Sequence, residues 1–193
     1  MANVILESAR GIQPVPIEDE LLRNRVIFLA GEVDRGSCAE LITKLMYLDA
    51  QDPNKEITLY INSMGGSVQD GLAVYDLMKL IGSPIRTVCV GTCASMGAII
   101  FLGGAKREMM EHGMVMVHDP SFSHLDIGGK KSHEIQSQLD DLNRCRESLA
   151  LIISERTGKS LKEVYKVTAQ DSYFNAHDAV EFGLATGIKE DRI

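Results

Sequence analysis

The sequence contains no long apolar run and little positive charge. Its longest apolar stretch, around residues 96–102, is far shorter than the ~20 residues that span a bilayer, and the apolar run near the N-terminus is too short for a signal peptide. There are 20 lysines and arginines against 27 aspartates and glutamates, a formal net charge of -7. Because nucleic-acid binding draws on clustered positive charge, this balance argues against a phosphate-backbone ligand. We expect a cytoplasmic protein that binds neither membrane nor nucleic acid.

Several motifs of cofactor and metal chemistry are also missing. The sequence has no CxxC pair, no HExxH motif, no P-loop and no GxGxxG fingerprint. Its cysteines lie in apolar or helical contexts, which predicts reduced thiols that pack in the interior. These are Cys38, Cys89, Cys93 and Cys145. We expect no cofactor and no metal site.

Length and composition favour one soluble domain over residues 1–193. Hydrophobic residues make up 45% of the chain and charged residues 24%, which suits a single globular core. Residues 1–24 are predicted to form a poorly patterned polar arm, mobile or docked on a partner, in which Pro14 and Pro16 exclude a regular helix.

Beyond the arm, strands and helices alternate. Strands are predicted at residues 25–33, 56–62, 85–90 and 114–118. One helix is predicted to begin at a Ser37 capping box and another near Ser95. Further helices are predicted at residues 67–81, 161–167 and 176–182, and a long helix is predicted after a loop with two glycines. The long helix carries an apolar stripe of Ile135, Leu139, Leu142, Cys145, Leu149 and Ile152. This order predicts the α/β class, with parallel strands and crossover helices.

Ser95 lies in VGTCASMGAII, between a strand-like run and an apolar segment. That position would expose its hydroxyl at the carboxyl edge of the sheet and put the N–H of Met96 at a helix N-terminus. A nucleophile elbow, GxSxG, would require glycine where Cys93 stands. Taken alone, the stretch favours a helix cap over a nucleophile.

The segment NSMGGS, residues 62–67, also leads from a strand into a helix. The paired glycines Gly65 and Gly66 leave backbone N–H groups open to a ligand, as an oxyanion hole requires. A tight turn is the simpler interpretation of the pair by itself.

A base for Ser95 would be a histidine. His118 ends the apolar run MVMV, at a strand end where α/β sheets face their ligand crevice. Asp171, just before a predicted helix, is a candidate either to orient that base or to cap the helix. The remaining histidines are predicted to be surface residues: His112, His124, His133 and His177.

From about residue 27 to residue 188 the sequence resembles the ClpP family, the proteolytic subunits of ATP-dependent Clp proteases. The likeness is carried by YINSMGGSVQDGLAVYDLM, CVGTCASMGA, VMVHDP and QDSYFNAHDAVEFGLATGI, in the family's order. The resemblance implies that Ser95 is the nucleophile, His118 the base and Asp171 the residue that orients it.

The resemblance also implies oxyanion donors at Gly66 and Met96, and a substrate strand lying beside the segment from Gly65 to Ser67. It implies a ClpP/crotonase-like spiral of strand-strand-helix units, with a handle region at residues 119–156 and an axial loop within the N-terminal arm. Two heptameric rings would form a tetradecamer, fed with unfolded polypeptide by a Clp/Hsp100 ATPase of the ClpX, ClpA or ClpC type. The expected activity is that of a serine endopeptidase in ATP-dependent protein quality control.

The sequence departs from the family pattern in several places, which indicates a divergent paralogue. Met64 replaces the usual proline, and the segment DPSFSHLDIGGKKSHE after His118 is longer and more polar than the family's. The connection KREMMEHG is shorter, and the arm lacks a typical Tyr-Ser pair. Asp119, next to His118, is expected to point to the other strand face and not to be its partner.

Other functions remain open. One is a ring subunit that is inactive alone and works only when mixed with another ClpP. A second is an acyl-CoA hydratase or isomerase on the same fold. A third is a Ser-Lys peptidase using Lys106, although GGAKRE predicts that Lys106 is an exposed loop charge.

Overall fold

The structure, a computed structural model, describes residues 2–8, 11–122 and 128–190. Its elements in chain order are β1 (Asn3–Ser8), β2 (Gly11–Pro16), α1 (Ile17–Arg23), β3 (Val26–Val33), α2 (Arg35–Gln51), β4 (Ile57–Gly66), α3 (Val68–Leu80), β5 (Ile85–Ala94), α4 (Met96–Leu102), β6 (Lys106–Met109), β7 (Met114–Val117), α5 (Ser132–Thr157), α6 (Leu161–Thr168), β8 (Ser172–Asn175), α7 (Ala176–Phe182) and β9 (Gly187–Ile188).

A seven-stranded sheet forms the centre of the protein. Strands β3, β4, β5, β6 and β9 lie side by side and are parallel. Strand β5 pairs with β6 along residues 86–89 and then with β7 along residues 92–94, while β8 runs antiparallel to β7. The predicted α/β class with parallel pairing is confirmed, and β5 changes partner shortly before Ser95.

The core combines the two periodicities expected of strands and helices. Along β4, the buried residues Ile57, Leu59 and Ile61 alternate with more exposed ones. Helix α2 buries the stripe Cys38, Leu41, Leu45 and Leu48. Helix α4 is buried along its whole length. Since burial of one large apolar side chain contributes about 1.5–3 kcal/mol, the core fixes the helix that begins directly after Ser95.

The N-terminal arm is more regular than its sequence suggested. β1 and β2 form an antiparallel hairpin in which Asn3 lies opposite Pro16, and α1 begins directly after Pro16. The prediction of an unpatterned arm was therefore wrong. Proline is tolerated in a two-stranded ribbon, where an edge N–H needs no partner, and just before a helix, where its fixed φ is compatible with helix entry.

Some predicted boundaries also change. Asp34, not Ser37, caps α2: its Oδ1 accepts the N–H of Ser37 at 2.8 Å, and Ser37 Oγ accepts the N–H of Asp34 at 3.0 Å. Lys106 begins β6 instead of lying in a loop, and Asp171 precedes β8 instead of a helix. Helix α7 is capped by Asn175, which accepts the N–H of Asp178 at 2.9 Å.

Helix α5 is covered by the rest of the chain only near its C-terminal end. Leu149, Ala150 and Ile153 are buried there, whereas Leu139 is 40% exposed. The N-terminal half of the predicted apolar stripe therefore projects from the body, as a handle helix would. The part of the predicted handle at residues 123–127 lies outside the described residues. No helix in the described ranges is long and apolar enough to span a membrane.

Arg25, just before β3, is a buried cation that donates hydrogen bonds to several backbone carbonyls. Its side chain donates to the carbonyl oxygens of Leu48, Asp52, Lys55 and Glu56, and to Ser83 Oγ. Arg25 is 5% exposed; its bonds to Leu48 and to Ser83 Oγ are buried, and the other three are partly buried. The residue ties the C-terminal end of α2 to the segments that precede β4 and β5.

Replacing this cation tests the packing of the sheet's first strand. Arg25→Met should lower the free energy of unfolding by about 2–4 kcal/mol, because it removes the hydrogen bonds of a buried cation to Ser83 Oγ and to the carbonyls of Leu48, Asp52, Lys55 and Glu56. Arg23→Met, at an exposed position two residues earlier, should change it by less than about 0.5 kcal/mol. Denaturant unfolding at one protomer concentration measures both. Equal losses for the two variants would contradict the assignment.

Candidate active site

Ser95 joins β5 to α4 in a backbone conformation that side-chain-bearing residues rarely adopt, with φ 53° and ψ -121°. Its N–H donates to the carbonyl of Met116 in β7 at 2.9 Å. Its Oγ makes no capping hydrogen bond to the helix and lies 2.9 Å from Nε2 of His118. Such strained residues cost about 1–3 kcal/mol and persist only where the surroundings enforce them. The hydroxyl is therefore held toward an imidazole, not toward the helix.

The β7–β8 ladder determines where His118 and Asp171 lie. This antiparallel pair ends with Val117 opposite Ser172, and continuing the register by one residue sets His118 opposite Asp171. His118 Nδ1 lies 3.8 Å from Asp171 Oδ1, beyond hydrogen-bond distance, and the Asp171 side chain is 61% exposed. The structure thus assembles the three predicted residues in the order serine, histidine, aspartate, with the last contact open.

The paired glycines lie directly beside the serine. Gly65 has φ 97° and Gly66 has φ 148°, conformations that favour glycine. A Cβ on Gly65 would come within 2.6 Å of Ser95 Cβ and 2.9 Å of the Met96 nitrogen. A Cβ on Gly66 would come within 2.2 Å of the Val33 carbonyl oxygen. The Gly65–Gly66 peptide is therefore close to the backbone nitrogen of Met96, and such a pair of N–H groups can hold a developing negative oxygen.

Ser67 has its backbone groups engaged within the fold. Its N–H donates to the Val33 carbonyl at 2.7 Å, and its carbonyl accepts the N–H of Gly71 at 3.1 Å. Its Oγ caps α3 by accepting the N–H of Asp70 at 3.4 Å. Of the predicted substrate-binding segment, Ser67 is thus the end that is fixed to the helix.

An apolar pocket opens beside Ser95 and His118. Its remaining wall includes Val68, Ile99, Val117, Pro120, Leu149 and Ile153. The last two come from α5, so the long helix contributes to the site as well as projecting from the body. The helical stripe predicted burial for Leu149 but gave no signal that it would lie near Ser95.

The other candidate bases lie in different surroundings. His112 and His133 are exposed, His177 lies 3.5 Å from Glu111 on the surface, and His124 lies outside the described residues. Lys106 Nζ lies 2.8 Å from Glu108 Oε1, and β6 pairs with the half of β5 farther from Ser95. The alternative of a Ser–Lys peptidase using Lys106 therefore receives no support from the structure.

Asp119 pairs with Arg146 of α5, whose Nε lies 2.7 Å from Asp119 Oδ2. This agrees with the expectation that Asp119 does not orient His118. The sequence gave no sign of the pairing with Arg146, because the two residues are far apart along the chain.

The cysteines near the site are buried thiols. Cys89 and Cys93 precede Ser95 in β5, and all four cysteines of the chain are free. Burial raises the pKa of the Cys93 thiol, whereas a hydrogen bond with Cys93 lowers the pKa of Cys89. Burial likewise raises the pKa of Cys38 and of Cys145. Within the described ranges, no cluster of His, Cys, Asp and Glu is arranged to hold a metal ion.

The fold and this site define an α/β protein with a strained serine hydrogen-bonded to a histidine at the edge of a parallel sheet. A model of the Clp protease family matches residues 10–192. The chain is 38% identical over 193 residues to ATP-dependent Clp protease proteolytic subunit 2 of Parasynechococcus marenigrum, covering 98% of this chain and 95% of the relative. It is 39% identical over 189 residues to proteolytic subunit 1 of Prochlorococcus marinus subsp. pastoris, covering 95% and 93%.

The chain belongs to the Clp protease family, as a divergent ClpP paralogue. The resemblance predicted from its motifs is thereby confirmed, and its mixed α/β architecture is consistent with the ClpP fold.

The close approach of Gly65 to Ser95 gives a direct test of the site. Gly65→Ala should slow phosphonylation of Ser95 by a fluorophosphonate probe about 100-fold or more, because the new Cβ displaces the serine and its neighbouring N–H. Gly129→Ala is the matched control, since Gly129 also has positive φ, at 71°, but a Cβ there meets nothing within 4 Å. Labelling rates measured by mass spectrometry should be unchanged in the control. Equal rates for Gly65→Ala and the unmodified chain would refute the proximity.

Proposed function

We propose that the chain is a serine endopeptidase subunit of an ATP-dependent Clp protease, which hydrolyses peptide bonds of unfolded polypeptides. The observation that carries this proposal is the 2.9 Å contact between Ser95 Oγ and His118 Nε2. A serine hydroxyl is a weak nucleophile until a base takes its proton, and this contact supplies the base. Family membership supports the same assignment, because the matched relatives are named as proteolytic subunits.

In the proposed mechanism, Ser95 Oγ attacks the scissile carbonyl carbon while His118 accepts the hydroxyl proton. The carbonyl oxygen becomes negative and is stabilised by the N–H groups of Gly66 and Met96. His118 then returns the proton to the leaving amine, and water releases the acyl group by the same steps in reverse. Asp171 orients the imidazole once its 3.8 Å separation from His118 shortens, since catalytic hydrogen bonds often tighten only when substrate is bound.

Substrate would lie as an extended strand along the segment that begins at Gly65 and ends at Ser67. Its backbone hydrogen bonds would go to the two glycines, because the N–H and carbonyl of Ser67 are bonded within the fold, and they would not depend on substrate side chains. One substrate side chain would enter the apolar pocket beside Ser95. Such a site accepts many sequences, provided that the chain is unfolded and one residue is apolar.

Weak selectivity requires that the site be enclosed. We propose two stacked heptameric rings, a tetradecamer in the cytoplasm, with α5 as the handle between rings and a Clp/Hsp100 ATPase that feeds substrate to the chamber. The exposed side of α5 supports this, since Leu139 is 40% exposed and Leu151 is 50% exposed. The N-terminal arm at residues 1–24 would lie at the axial entrance.

A second candidate is a ring subunit that is inactive alone and acts only in a mixed assembly with another ClpP. The open contact between His118 and Asp171 favours it, because an unoriented imidazole is a poor base. An acyl-CoA hydratase or isomerase would have no use for the Ser95–His118 contact, and no observation favours it.

Alanine substitutions separate the proposed roles. Ser95→Ala and His118→Ala should each lower kcat for a short fluorogenic peptide by at least ~10⁴-fold, because each removes a group that acts in the transition state. Lys106→Ala should leave kcat unchanged, since its charge is paired with Glu108. Native mass spectrometry of each variant should give the mass of the same assembly. Hydrolysis that survives His118→Ala but disappears with Lys106→Ala would overturn the base assignment.

The apolar pocket predicts a preference at the residue before the scissile bond. Peptides with leucine at that position should have kcat/KM at least ~100-fold higher than otherwise identical peptides with aspartate, because a carboxylate would lose its hydration there. Product analysis by mass spectrometry should place the cleavage after the leucine. Comparable rates for the two peptides would show that the pocket does not receive this side chain.

A further inference from the structure

The backbone just beyond His118 is anchored at Asp119. The N–H of Asp119 donates to the carbonyl of Thr168, the last residue of α6, at 2.7 Å. Its carboxylate lies 2.7 Å from Nε of Arg146 in α5. Asp119 therefore touches two helices with two different groups, one residue after the proposed base.

Arg146 is itself placed by a third contact. Its guanidinium carbon lies 4.5 Å from the centre of the Tyr165 ring in α6, within the range of a cation–π interaction. Arg146 Nε is buried, and its 2.7 Å contact with Asp119 Oδ2 is an ion pair that lacks the geometry of a hydrogen bond. The cation thus bridges the loop after β7 to the helix that leads toward Asp171.

These contacts and the β7–β8 ladder hold the backbone on both sides of the proposed base. Thr168 lies three residues before Asp171, and β7 and β8 pair up to Val117 and Ser172. Beyond that last pair, the hydrogen bond from Asp119 to Thr168 again joins the segment that follows β7 to the segment that precedes β8. His118 and Asp171 therefore lie between two points at which their backbones are joined.

Because the contact between His118 and Asp171 is open, the position of the imidazole depends on the backbone contacts around it. At 3.8 Å, Asp171 does not hold the imidazole by a hydrogen bond. The side chains of Arg146 and Asp119 are 38% and 28% exposed, and ion pairs with this much water contribute little to stability. This ion pair contributes little to the free energy of folding, yet it connects the residue after the base to α5 and α6. Its role is therefore better explained as holding the base in position than as stabilising the fold.

We propose that Asp119 and Arg146 are positioning residues for His118. Their ion pair, packed on Tyr165, fixes the end of β7 against α5 and α6 and keeps the imidazole between Ser95 and Asp171. Any movement of α5 is then transmitted to the base through Arg146. This inference rests on the proposed peptidase function, since it assigns the pair a role in the same reaction.

Substitutions that keep size but remove charge test the pair. Asp119→Asn and Arg146→Met should each lower kcat for a short fluorogenic peptide roughly tenfold with KM changed less than about twofold, because the base is displaced while the pocket stays intact. The double variant should lose no more than the worse single variant, since both changes break one contact. Arg146→Lys keeps a cation near Asp119 and Tyr165 and should restore most of the lost kcat.

Arg144→Met is the matched control, because Arg144 forms an exposed ion pair with Asp141 on the same helix. It should leave kcat unchanged, and native mass and thermal midpoint should be similar for all variants. A loss of kcat that only follows loss of assembly, or an equal loss in Arg144→Met, would overturn the inference. So would unchanged kcat in both Asp119→Asn and Arg146→Met.

The same experiment distinguishes the two levels of the proposal. If the unmodified chain shows no hydrolysis that depends on Ser95, the peptidase function fails and this inference with it. If the unmodified chain is active and the Asp119 and Arg146 variants match it, only the positioning role fails.

Discussion

The hydrogen bond between Ser95 Oγ and His118 Nε2 is the interaction on which the proposed function depends. Neither residue could hold it alone. Ser95 is kept at positive φ because β5 has just changed partner from β6 to β7 and because the buried helix α4 begins at the next residue. The N–H of Ser95 donates to Met116 in β7, the same strand whose end carries His118. One strand therefore fixes the backbone of the serine and also presents the imidazole, so the distance between the two side chains depends on the position of the end of β7.

The third member of the site is held less firmly. The β7–β8 register sets Asp171 opposite His118, yet its carboxylate is largely exposed and 3.8 Å away. Closing that gap needs only a small rotation of a side chain or a small shift of the β8 end. The long helix α5 contacts the site at two places: Leu149 and Ile153 line the apolar pocket, and Arg146 pairs with Asp119. Contacts made by the projecting half of α5 in an assembly would thus act on the geometry of the base and on the pocket together.

Much of the fold could be predicted from sequence, because strand and helix periodicities are local properties. The helices α3, α6 and α7 and the strand that ends before His118 follow from patterns in short windows, whereas β5 runs four residues beyond its predicted end at residue 90. Strands β6 and β8 were not predicted, since each has four residues and no clear alternation. The hairpin of β1 and β2 was not predicted, because the prolines argued against regular structure in the arm and the sequence has no local pattern that indicates which residues pair. At the site, the motifs predicted the residue types, but neither the open Asp171 contact nor the pairing of Asp119 with Arg146 has a local signal.

A structure of the chain reacted with a peptide boronate would show whether Ser95, His118 and the two backbone nitrogens act on one carbonyl group, because boron adopts the tetrahedral geometry of the reacting carbonyl carbon. We expect a bond from boron to Ser95 Oγ, with one boron oxygen about 2.7–3.1 Å from the backbone nitrogens of Gly66 and Met96. His118 should remain in contact with the adduct. A boronate bound at any other residue would show that Ser95 is not the nucleophile, and an adduct on Ser95 whose oxygen faces neither nitrogen would show that Gly66 and Met96 do not form the oxyanion hole.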